Sequence, residues 1–163
     1  MLARLGPAQP AQGADVVARA VGALALAALA VIHVVDLPGT LGPTPLVGAG
    51  YLGIIAAAVV TGGMMITRSH WLVWAAAGGV AASAMGGYVL TRAIPGGFLG
   101  DHADVGNWRC PLGMAALSVE AILILLVVLA AWQAQARARR AAPQPLPAPA
   151  RPRTPEFGQR RVG

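Results

Sequence analysis

A chain of 163 residues that is 56% apolar and only 11% charged, with mean hydropathy +0.64, is too poor in charge for an ordinary soluble domain. The formal net charge of +6 does not point to nucleic acid: all twelve basic residues are arginine, seven lie after residue 136, and none forms a patch interleaved with aromatics. Cys110 is the only cysteine, which excludes an intrachain disulfide.

Residues 1–15 carry Arg4 with scattered proline and glycine and read as a flexible lead. Val16 to Leu37 is an apolar run broken by Arg19 and His33, with Asp36 next to its end. Ala20 to Leu37 makes ~27 Å of helix, enough to cross a bilayer if Arg19 snorkels to the surface. Ala28-Leu29-Ala30 also fits a signal-peptide cleavage pattern. The apolar run continues past that site and the region before it is long, so a retained span is expected.

Pro38, Gly39, Gly42, Pro43 and Pro45 predict the first loop, because both residue types end helices. A second span covers Leu46 to Thr67, closed by Arg68, and Ser69-His70 is a tight connection. A third runs from Trp71 to Thr91, closed by Arg92. Residues 93–110 form the longest loop, opened by Pro95-Gly96-Gly97. Pro111 suits a first helical turn and starts a fourth span that reaches about Trp132. Residues 137–163, rich in Pro, Ala and Arg, predict a disordered tail. The expected fold is all-α: a membrane-embedded antiparallel four-helix bundle over residues 16–136, with spans at about 16–37, 46–67, 71–91 and 111–132.

Arg4, Arg19, Arg68 and the tail arginines would share one side, whereas the first loop has no basic residue and follows Asp36. The loop after the third span sets Arg92 and Arg109 against Asp101 and Asp104. This asymmetry puts both termini in the cytoplasm and the protein in the cytoplasmic membrane. Trp71, Trp108 and Trp132 fall at span ends, where indole prefers the interface.

Close helix approach in lipid needs small residues. Gly79, Ser83 and Gly87, and likewise Gly78, Ala82 and Gly86, recur at helical spacing on the third span; Gly53, Ala57 and Thr61 do so on the second. These two helices are therefore expected to touch closely, and a leftover glycine face would suit a homodimer or another membrane protein. On the fourth span Gly113, Ala116 and Glu120 share a face toward the bundle, with Leu123, Leu125 and Leu126 toward lipid.

Glu120 is the sharpest chemical signal. It lies ~13 Å beyond Pro111, near mid-membrane, where an ionised carboxylate is costly and marks either a function or a buried structural partner. Arg92, Tyr88 and His33 lie in the same outer half and could join Glu120 in one polar cluster, with Tyr88 bridging Arg92 to Glu120. The plainer alternatives are an interfacial anchor for Arg92 and a packed imidazole for His33. In the long loop Asp101, His102, Asp104 and Asn107 resemble metal ligands, but their spacing fits no EF-hand, and zinc would need a further donor such as His33. Caps and turns account better for Asp101 and Asp104, and Asn107-Trp108 reads as an interfacial anchor. Cys110 and Met114 are one turn apart, a weak soft-metal pair that reads as packing. No cofactor or metal is expected. No catalytic residue is assigned, since no GxSxG, P-loop, HExxH or CxxC pattern occurs and no nucleophile–base pair is visible.

Tyr88-Val89-Leu90-Thr91-Arg92, Asp104-Val105-Gly106-Asn107-Trp108, Pro111-Leu112-Gly113 and Glu120 together resemble a pattern in small four-span membrane proteins of actinomycetes. The resemblance covers about a quarter of the chain. It implies the four-span fold and draws attention to Arg92, Asn107, Trp108 and Glu120. It brings no activity with it, and Cys110 stands where that pattern would have an acidic residue. The expected role is that of a non-enzymatic accessory or scaffold subunit in the bilayer. A small transporter or ion-coupling protein using Glu120 is the alternative.

Overall fold

The computed structural model describes residues 10–68 and 70–141. The expectations for residues 1–9, Ser69 and the tail from 142 onward lie outside those residues. Four helices follow one another: α1 (Pro10–Leu41), α2 (Pro45–Thr67), α3 (Trp71–Ala93) and α4 (Pro111–Ala141). All four are long and apolar enough to cross a membrane. Each packs against its chain neighbour, and α1 closes the ring against α4. This is an all-α up-down bundle, and the chain is a multi-pass membrane protein.

The two middle helices lie within two residues of their expected ends. The outer two overrun theirs. α1 begins at Pro10, inside the expected lead, because proline is suited to a first turn whose N–H has no helical partner. It also continues through Pro38, where a loop was expected. Pro38 cannot donate to the carbonyl one turn back, but threonines support the carbonyls beyond it. Thr40 Oγ1 donates to the Asp36 carbonyl at 3.1 Å, and Thr44 donates through both N and Oγ1 to the Thr40 carbonyl at 2.9 Å. α4 runs ~46 Å, beyond the hydrocarbon, and carries Arg137, Arg139 and Arg140 in helix where a disordered tail was expected to begin.

The core lies in the middle and at the end bearing the termini. Leu26 and Leu29 of α1, Met65 of α2, Ala77 and Ala81 of α3 and Leu123 of α4 are fully buried. Leu123 thus corrects the expectation that it faces lipid: it is three residues after Glu120, on the same helical face. Leu125 does face outward. Because Leu26, Leu29 and Ala30 are core, cleavage after Ala30 would remove part of the bundle's interior.

The expected glycine seam between α2 and α3 is not the closest one. A Cβ on Gly53, Gly79, Gly86 or Gly87 would meet nothing within 4 Å. The most extensive pairing is α1 on α2. There a Cβ on Gly48 would come to 2.8 Å from Leu41 Cα, and one on Gly22 to 2.6 Å from Met65 Sδ. Spacing reveals which residues are small, but not which helix face meets a neighbour.

Arg19 does more than snorkel. Its Nε donates to the Met65 carbonyl at 2.7 Å and its Nη2 to the Ile66 carbonyl, so it caps the last turn of α2. Arg19→Met should lower stability by about 1–3 kcal/mol, read as a lower unfolding midpoint in detergent, with Arg19→Lys in between.

Candidate functional site

At the other end the bundle is not packed shut. A cavity of about 270 Å³ lies in the half bearing the long loop, lined by all four helices and by Phe98 and Leu99 of that loop. The four residues of the expected cluster, His33, Tyr88, Arg92 and Glu120, all line it. They do not bond to one another in the expected way.

Arg92 lies in the last turn of α3 and bonds to the long loop rather than to Glu120. It is 6% exposed and pairs through Nη2 with Asp104 Oδ2 at 3.1 Å. Its Nε donates to the Asn107 carbonyl at 3.0 Å, and its Nη1 donates to Thr91 Oγ1 at 2.8 Å and the Tyr88 carbonyl at 3.4 Å. The guanidinium also stacks 3.7 Å above the Tyr88 ring. Tyr88 in turn donates its hydroxyl to the Trp108 carbonyl at 2.9 Å, and the two rings meet edge to face. It therefore does not bridge Arg92 to Glu120.

The loop residues fall into place around this clamp. Asp101 is buried and its Oδ1 accepts the Asp104 N–H at 3.3 Å, the turn-forming role expected of it. Asp104 is a turn residue as well as the counter-ion of Arg92, and its Oδ1 accepts from Asn107 Nδ2 at 3.4 Å. Asn107 and Trp108 anchor the loop through main-chain carbonyls aimed inward, with their side chains exposed. Among the described residues no three His, Cys, Asp or Glu side chains gather as a metal site. Leu99, which lines the cavity, has φ of 54°, a strained conformation for a bulky side chain.

Gly113 sets the fit between α4 and the clamp. A Cβ there would collide with Tyr88 Cε2 and approach Arg92 Nη2 to 3.5 Å. Gly113→Ala should push the Tyr88 ring off its seat, weaken the clamp by about 1–3 kcal/mol and speed protease cutting within residues 94–110.

The opposite wall holds what sequence reading passed over. His33 Nδ1 lies 2.9 Å from the Leu29 carbonyl, and its ring meets Tyr51 edge to face at 4.8 Å. The Tyr51 hydroxyl donates to Asp36 Oδ2 at 2.9 Å. Asp36 sits three residues after His33 on one helix face, a spacing that could have drawn it into the cluster. Tyr51, on the next helix, had no such signal.

Glu120 remains. It is 1% exposed, and its Oε2 has no hydrogen-bond partner among the described residues. Ala116 and Leu123 flank it one turn away on each side, and it borders the cavity. A buried carboxyl oxygen without a donor is costly wherever it lies, and more so in a membrane interior. Compared with protein-family models, curated proteins and solved structures, the chain matches none.

Proposed function

We propose that this protein is a small ion-coupling or transport protein of the cytoplasmic membrane, with Glu120 as a carboxylate that exchanges its counter-charge from the cavity. The observation that carries this reading is the buried, unpartnered Oε2 of Glu120, a residue that lines the cavity. Among the described residues no donor from another helix of this chain reaches Glu120 Oε2. Its negative charge must be met by a proton or by a cation entering the cavity.

Arg19, Arg68, Arg137, Arg139 and Arg140 belong to the end of the bundle that bears the termini, while Arg92 at the other end is matched by Asp104. This favours cytoplasmic termini and an outward-facing cavity. Cysteines placed at Ala103 and Arg139 in a Cys110→Ser background should label from opposite sides of sealed vesicles; labelling from one side would refute that orientation. The partner reading, a second copy or another membrane protein, is supported by the open glycine faces at Gly53 and Gly79.

The functional test is proton movement. Vesicles containing the protein should dissipate an imposed pH gradient faster than empty vesicles, and Glu120→Gln should return the rate to the empty-vesicle value. If folded Glu120→Gln protein leaks as fast as wild type, Glu120 is not the coupling group.

A further inference from the structure

Resting on that reading, we propose that the cavity takes a compact organic cation carrying an N–H donor, a protonated amine on a small apolar body, with Glu120 as its counter-charge. Three observations specify this class. The first is charge. Asp36, Glu120 and Arg92 are the lining residues that carry charge, and Arg92 is already committed to Asp104 at 3.1 Å. The walls therefore hold two acids without a free counter-cation. An anion would meet both acids, and a neutral guest would leave Glu120 unpaired.

The second is hydrogen bonding. Asp36 Oδ2 already accepts from Tyr51, whereas Glu120 Oε2 accepts from nothing. What the Glu120 carboxyl lacks is a donor, and an ammonium at the cavity side of that side chain supplies both donor and charge. His33 also lines the cavity, and in the neutral tautomer that gives Nδ1–H to the Leu29 carbonyl its Nε2 is an acceptor.

The third is size and lining. A volume of about 270 Å³ is many times the ~10–15 Å³ that one water needs on the same measure, far more than a bare inorganic ion fills. Ile54, Phe98 and Leu112 offer nothing to hydrate such an ion, and no three acidic, imidazole or thiol groups converge to replace its water among the described residues. Most ligand sites that hold drug-sized molecules are larger, from about 300 Å³ upward. The part of the guest that enters the cavity is therefore small, with an apolar face against those side chains and its nitrogen at Glu120.

The test uses the full chain in lipid nanodiscs and three probes of one shape: phenethylammonium, 2-phenylethanol and phenylacetate. Phenethylammonium should bind saturably, one per chain, by calorimetry. The alcohol and the acid should bind at least about tenfold more weakly, and Glu120→Gln should cost phenethylammonium a similar factor. Equal binding of the alcohol, undiminished binding by Glu120→Gln, or no saturable binding of phenethylammonium overturns the proposal. Matching circular dichroism of the two proteins shows that Glu120→Gln is folded, and Glu120→Asp, which keeps the charge, should retain more affinity than Gln. If binding fails while the Glu120-dependent proton leak persists, only the cation class falls. If both fail, the coupling reading falls with it.

Discussion

Arg92→Ala should release the long loop from the bundle and cost about 3–5 kcal/mol, the largest loss expected of any single polar substitution here. The guanidinium is almost fully buried and makes four polar contacts besides lying over the Tyr88 ring. Truncation strands the Asn107 carbonyl and leaves Asp104 without its counter-ion. Arg92→Lys should recover little, because one ammonium cannot reach the Asp104 carboxylate, the Asn107 carbonyl and Thr91 together. Asp104→Asn should cost less, about 1–2 kcal/mol, since Asp104 is 29% exposed and asparagine still accepts a hydrogen bond. Protease sensitivity within residues 94–110 reports the loop directly, and the unfolding midpoint in detergent reports the bundle. If Arg92→Ala leaves both unchanged, the clamp contributes nothing to stability.

Glu120→Gln should do the opposite. Removing a charge that has no partner should leave the bundle as stable as wild type or raise its stability by about 1 kcal/mol, while abolishing the proton leak. A structural carboxylate would behave otherwise: its loss would unfold the helices it joins. The pair of outcomes, stability kept and flux lost, separates a functional site from a packing one. Glu120→Leu should also fold, because Ala116 and Leu123 on the same face already pack apolar surface.

Much of the fold was legible in the sequence because hydrocarbon thickness imposes one length on every span. Four apolar runs between Pro-, Gly- or Arg-marked ends gave four helices. Their ends were read less well where a residue had two uses. Pro38 was taken as a stop, yet threonines at 40 and 44 support the chain past it. The candidate cluster was legible as a depth in the membrane: His33, Tyr88, Arg92 and Glu120 do line one cavity. Their bonding was not, because Arg92 has a nearer acid in a loop whose path no periodicity predicts. Glycine spacing misled for a related reason. Gly79 and Gly53 have open space beside them, whereas Gly22, Gly48 and Gly113, outside the matched series or at its edge, lie against their neighbours.

The most direct measurement is modification of the folded protein in membranes by a lipid-soluble carbodiimide, located by mass spectrometry. Glu120 is 1% exposed but borders the cavity, so local opening on that side should admit the reagent: Glu120 should be modified in the native bilayer and phenethylammonium should protect it. Glu120 that stays unmodified in the membrane, yet reacts once the chain is unfolded, would mean that the acid is sealed in packed protein and that the bundle contains no such site.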